Sequence, residues 1–194
     1  MDTLKAEKRD LTVKAKKLRR EGYVTGNVVG REIEGSIPIM INKRDAERVF
    51  RTKKKGSQLY LDVEGQKLDV LIKEMNYNSM KNEFEEVDFQ ALVSTEKVHS
   101  VAEVVLVNHD KIQEGILQVV LEEIAYKALP SALVEKVEID VGEMKPGDSI
   151  KVEDLPIASD PDVELTTSRD AVVVLVSELH ASAAKEDEEE AAEE

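Results

Sequence analysis

Short stretches in which apolar side chains recur at every second residue run through most of this chain. A period of two can be buried on one side only by a pleated strand. Ile37–Ile41 and Leu59–Val63 alternate in this way, and Phe84 to Val93 does so through Val87, Phe89, Ala91 and Val93. Leu68–Lys73 is more continuously apolar, and Glu64-Gly65-Gln66 between two of these runs predicts a hairpin turn. One helix should interrupt the strands. Asn42 suits its N-cap, Asp45 and Glu47 its first turns, and Ala46, Val49 and Phe50 form its apolar stripe. Lys53-Lys54-Lys55 should then complement its C-terminal end, with Gly56 as the stop. After Glu96 come short β-branched runs at Val101–Val107, Gly115–Ile124, Leu133–Val141, Ser149–Val152 and Ala171–Val176. Turns such as Lys145-Pro146-Gly147-Asp148 and Ala158-Ser159-Asp160-Pro161-Asp162 separate them, which points to a sandwich or barrel. The expected class is all-β with one or two helices.

At 194 residues the chain can bury two small cores. The pattern divides near Ser94-Thr95-Glu96, giving an expected first domain of residues 1–94, a second of 95–180 and a tail of 181–194. The tail, ASAAKEDEEEAAEE, has no apolar face and reads as acidic, disordered and solvating. Aromatics are only 4% and Trp is absent, so Val, Ile and Leu must fill the interior. Without cysteine there are no disulfides and no thiolate metal sites, which suits a reducing cytosol. No stretch has the character of a signal peptide or reaches membrane-spanning length, so a cytoplasmic protein is expected, with no membrane partner.

The net charge of −14 would argue against a polyanionic partner, but its distribution reverses the argument. Residues 1–60 hold 16 Lys/Arg and 8 Asp/Glu, whereas residues 95–194 hold 8 and 25. A polyanion would be met by the basic N-terminal part, with the acidic half held away.

Lys14 to Gly22 (Lys-Ala-Lys-Lys-Leu-Arg-Arg-Glu-Gly) packs Lys14, Lys16, Lys17, Arg19 and Arg20 into seven residues before a glycine that lets the chain turn into the next strand. Arg offers phosphate a planar fork of donors and Lys a point charge, as a structured RNA backbone demands. The plainer alternative is a solvated loop. Asn76-Tyr77-Asn78 offers amides for base edges and a ring for stacking; turn formation at Asn78-Ser79 competes with that reading. Asp88 alternates with Val87 and Phe89, so it is either a solvated strand carboxylate or one that orients a neighbouring Arg or accepts from a base amine. His99, His109 and His180 lack the spacing of a metal site or catalytic triad, and no phosphate-loop glycine pattern occurs. No enzyme activity and no cofactor are expected.

With Ala15–Gly22, Leu71-Ile72-Lys73-Glu74-Met75, Val87-Asp88-Phe89-Gln90, Leu129-Pro130 and Gly147–Leu155 in this order, residues 3–178 resemble the bacterial large-subunit ribosomal protein twenty-five family, in its long two-domain form also called general stress protein Ctc. The resemblance implies an N-terminal β-barrel that binds 5S rRNA and a C-terminal all-β domain. It places Arg9, Lys16, Lys17 and Arg19 at phosphate contacts, and Asn76 and Asp88 at polar contacts. The sequence departs from the family pattern at Leu11-Thr12-Val13, at Asn76-Tyr77-Asn78-Ser79 and at Glu86, which sets a carboxylate where RNA would approach. The implied partners are 5S rRNA, the large ribosomal subunit and, through the second domain, a neighbouring ribosomal protein. A divergent general-stress paralogue with weakened rRNA binding, acting through a protein partner, is the alternative.

Overall fold

The computed structural model describes residues 3–112 and 115–177. The acidic segment 181–194 and His180 lie outside the described residues.

The first module runs β1 (Thr3–Lys8), α1 (Ala15–Arg20), β2 (Tyr23–Val29), β3 (Ser36–Asn42), α2 (Lys43–Phe50), β4 (Gln58–Val63), β5 (Gln66–Asn78) and β6 (Glu83–Ala91). Its six strands close into a barrel in the order β1-β3-β2-β6-β5-β4, with β4 returning to β1 in parallel. Closure leaves the barrel without a sheet edge. The alternating residues fill it: Val24, Ile39, Leu61, Ile72, Val87 and Phe89 are all wholly buried. At the β4–β5 hairpin Val63 pairs with Gln66, so Glu64 and Gly65 form a two-residue loop with φ of 52° and 92°. Such a loop matches the right-handed twist of the strands it joins. The Asn42 side chain accepts from the Arg44 amide at 3.0 Å and starts α2, whose Ala46, Val49 and Phe50 pack onto the barrel.

Three elements differ from the sequence expectation. β1 exists although its Lys5, Glu7 and Lys8 outnumber the two core residues, Leu4 and Ala6. The basic stretch is a short helix, α1, rather than a loop. The Lys53 amide donates to the Val49 carbonyl at the end of α2, but the ammonium groups of Lys53, Lys54 and Lys55 reach the other module.

The second module comprises β7 (Val98–Val107), β8 (Ile116–Val119), β9 (Glu123–Ala128), β10 (Lys136–Asp140), β11 (Ser149–Lys151), β12 (Val163–Leu165) and β13 (Val172–Ser177). Two sheets, β10-β7-β9-β12 and β11-β13-β8, share one core that includes Ile124, Tyr126, Val137, Ile139, Val173 and Val174. This is a sandwich. Gly115–Ile124, expected as one run, is two strands because the chain changes sheets inside it. Val120 and Leu121 both donate to the Val173 carbonyl on one side, and the Glu122 carbonyl accepts from Val104 on the other. The three-residue β12 follows a turn and was too short to read as alternation. The buried Tyr126 hydroxyl donates to the Val134 carbonyl at 2.9 Å and accepts from the Val134 amide at 2.7 Å, which ties the segment before β10 to the core.

The modules meet through the three lysines. Lys53 pairs with Glu135 at 2.7 Å, Lys55 with Glu123 at 2.8 Å, and Lys54 with Glu103. At their centre the Gly56 carbonyl accepts from Ser100 Oγ at 3.4 Å, and a Cβ on Gly56 would lie 2.0 Å from the Val101 carbonyl oxygen. Only glycine allows that approach. Among the described residues no helix is long and apolar enough to cross a membrane.

Candidate nucleic-acid interface

A six-residue helix is too short to be stable alone. α1 is held by the burial of Leu18 and by the guanidinium of Arg19. Arg19 Nε donates to the Glu85 carbonyl oxygen at 3.0 Å and Nη2 to Thr25 Oγ1 at 3.3 Å. Its charge also lies 3.6 Å from the Glu85 carboxylate and 3.7 Å from that of Glu86. Arg19 therefore fastens α1 across β2 and β6, and its fork is largely occupied. Glu86, expected to set a carboxylate where RNA would approach, lies 3.7 Å from the Arg19 guanidinium, which it shares with Glu85.

With Leu18 inward, Lys14, Lys16, Lys17 and Arg20 are exposed. Lys17 has only a loose pairing with Glu21 at 3.8 Å. Lys16 and Arg20, one turn apart, line an open cleft together with Arg19, Lys43 and Lys81. The carboxylates in that cleft are partnered: Glu85 by Lys81 at 3.1 Å, and Glu83 by Lys43. The Asn78 amide (2.8 Å from the Glu85 carboxylate) and Lys81 hold the Glu85 carboxyl below its ordinary value, and the Arg19 charge adds to this. Hydrogen bonding to Glu83 raises Lys43 above its ordinary value, so it remains a cation.

Beside α1, the outward positions of β2, β6 and β5 form a polar row. β2 and β6 run parallel with Asn27 opposite Asp88, and β6 sets Glu86 opposite Asn76 on β5. Asp88 Oδ1 accepts from the Asn27 backbone amide at 3.1 Å and from its side-chain nitrogen at 3.2 Å. The Asp88 carboxylate thus orients an asparagine, not an arginine. Asn76 is exposed. Tyr77, 48% exposed, packs one face on Phe84 with ring centroids 5.0 Å apart and bonds Asn82 through its hydroxyl. It also borders a second open cleft, lined by Glu47, Arg51, Asn82 and Phe84. Asn78 does form a turn, accepting from the Met80 and Lys81 amides at 3.1 and 3.2 Å. Arg9 lies apart from α1's outer face. It is half-buried, with Nη2 donating to the Val13 carbonyl at 3.2 Å and Nε buried without a partner among the described residues.

The structure thus gathers Lys14, Lys16, Lys17, Arg19 and Arg20 on one short helix, next to the strand surface that carries Asp88 and Asn76. Sequence reading missed Asn27, Thr25 and Glu85. The alternation Val24-Thr25-Gly26-Asn27-Val28 was the available signal for the first two, since it turns Thr25 and Asn27 outward. His109 and Asp110 form an exposed surface pair at 3.1 Å.

Residues 4–89 match the model of the Ribosomal L25p family, and residues 97–179 that of the C-terminal domain of ribosomal protein TL5. Over 96% of its length the chain is 30% identical to the large ribosomal subunit protein bL25 of Methylobacillus flagellatus, of which the match covers 94%. It is 32% identical to bL25 of Exiguobacterium sibiricum, covering 91% of this chain and 79% of that one. With bL25 of Finegoldia magna the identity is 27%, covering 90% and 83%.

Proposed function

The chain belongs to the large ribosomal subunit protein bL25 family, and we propose that it is a cytoplasmic constituent of the large subunit that binds 5S rRNA through α1 and the outer face of β2, β6 and β5. One observation carries this reading: four exposed cations at α1 adjoin the hydrogen-bonded Asn27–Asp88 pair, on a strand surface that also carries the exposed Asn76. Lys14, Lys16, Lys17 and Arg20 meet phosphates and fix position. Arg19 and Arg9 contribute positive potential and hold the backbone beneath. Asn27 and Asn76 face the minor groove of an A-form helix, which is wide and shallow enough for short side chains to reach 2′-hydroxyls and base edges. Tyr77 offers its free ring face to an unstacked base. In this reading residues 1–94 are the RNA-binding unit, and residues 95–180 meet a neighbouring ribosomal protein.

The test is a titration of the full chain against 5S rRNA and against an unrelated structured RNA of equal length, at two salt concentrations. Tighter binding to 5S rRNA at both is expected. The triple change Lys16→Ala, Lys17→Ala and Arg20→Ala should lower the slope of log affinity against log salt by about three units. Equal affinity for the two RNAs would overturn the assignment to 5S rRNA.

A further inference from the structure

Among the described residues the second module has four sheet edges: β10, β12, β11 and β8. Open edges are templates for further strand pairing, and natural proteins blunt them with charge, proline or shortness. β10 turns Lys136, Glu138 and Asp140 outward, and β12 and β11 are three residues each, carrying Glu164 and Lys151. β8, at four residues, carries neither charge nor proline. It reads Ile-Leu-Gln-Val, runs on into Val120, and exposes Ile116, Val119 and Val120 by 48%, 44% and 53%. Its one partner among the described residues is β13, antiparallel. The bond from the Val120 amide to the Val173 carbonyl sets the ladder's phase. Paired and unpaired positions alternate in such a ladder, so the backbone groups of Leu117 and Val119 face away from β13.

Charge selects what can pair there. Residues 97–177 hold 7 Lys/Arg and 16 Asp/Glu. A second copy pairing β8 to β8 would bring its own acidic module against this one, and RNA phosphates would be repelled as well. We propose that β8 is a docking edge for an extended, lysine- and arginine-rich segment of another protein, which adds to the sheet as a strand beyond β8. Main-chain hydrogen bonds to Leu117 and Val119 supply affinity, β-branched side chains of the visitor cover Ile116 and Val120, and its cations answer the module's net negative charge. Only the identification of the visitor as a ribosomal protein rests on the function proposed above.

The experiment uses the full chain and a synthetic peptide of alternating valine and lysine, with amide hydrogen exchange followed residue by residue. At a peptide concentration about ten times its Kd, exchange at Leu117 and Val119 should slow about tenfold. A valine–glutamate peptide should have no effect. The double change Ile116→Lys and Val120→Lys, at two exposed positions, should abolish the protection without lowering Tm. The inference is overturned if neither amide is protected, if the glutamate peptide protects equally, if 5S rRNA protects them, or if sedimentation shows that a second copy already covers the edge. Binding of the same double variant to 5S rRNA is measured alongside. Failure of the wild-type chain to bind 5S rRNA in the same measurement would count against the RNA reading and leave the peptide result standing.

Discussion

Replacing Gly56 by alanine should loosen the junction of the two modules, and Gly65→Ala supplies the matched control. Both glycines hold left-handed φ, 85° and 92°, but an added Cβ meets nothing within 4 Å at Gly65 and the Val101 carbonyl oxygen at 2.0 Å at Gly56. At Gly65 alanine therefore costs backbone strain alone, about 1–2 kcal/mol. At Gly56 the strain is the same, and the Val101 carbonyl must also retreat by about 1 Å, because real Cβ contacts do not fall under 3.0 Å. That retreat lengthens the 3.4 Å bond from Ser100 and loosens the Lys53–Glu135 and Lys55–Glu123 pairs. A net hydrogen bond is worth about 1 kcal/mol and an exposed ion pair about 0.2–1 kcal/mol, so roughly 2 kcal/mol more is lost. In a chain of this size the excess corresponds to a melting temperature about 4–8 °C below that of Gly65→Ala. Calorimetry measures it, and amide exchange at Ser100–Ala102 should quicken in the Gly56 variant alone. Equal melting temperatures for the two variants would refute the steric argument and leave the junction governed by the lysine pairs.

Lys16→Ala with Arg20→Ala should flatten the salt dependence of RNA binding by about two units at unchanged Tm, whereas Arg19→Ala should lower stability by about 1–2 kcal/mol and expose the α1 amides to exchange. Asp88→Ala should free the Asn27 side chain, seen by NMR as an upfield shift of the side-chain amide proton that Asp88 accepts, and weaken 5S rRNA binding about tenfold with the barrel intact. The Glu85 carboxyl is depressed by Asn78, Lys81 and Arg19, so its stabilising contribution is complete above the ordinary glutamate value and fades as pH falls through the depressed one. NMR titration of its side chain should give a midpoint below that of an unpaired glutamate, moving back up in Asn78→Ala.

What the sequence made legible is local. Asn42 and the Ala46–Val49–Phe50 stripe specify α2 within one short segment, and Glu64-Gly65 between two alternating runs can hardly do anything but turn. The family resemblance added the barrel and its partner domain. β1 was hidden because only Leu4 and Ala6 face inward among charged neighbours. α1 was hidden because its single buried residue, Leu18, makes no periodic pattern. The site's own chemistry was least legible: Arg19 meets Glu85, and Asp88 meets Asn27, across more than sixty residues of chain. Those pairs depend on β2 lying parallel to β6, which no spacing in the sequence encodes. The misreading of Lys53–Lys55 has the same origin, since a cation run beside a helix end looks like dipole complementation until a second module is seen to carry three carboxylates to it.

Those three carboxylates act as a decoy phosphate backbone built into the chain. Glu103, Glu123 and Glu135 already occupy Lys53, Lys54 and Lys55, three of the sixteen cations in the first sixty residues. An RNA reaching for these lysines must displace anions whose tether keeps their local concentration near or above the millimolar range. Among the described residues no such carboxylate pairs with Lys14, Lys16 or Arg20, which stand exposed on the outer side of α1. A polyanion is thus left the cations of α1, because those before β4 are already answered.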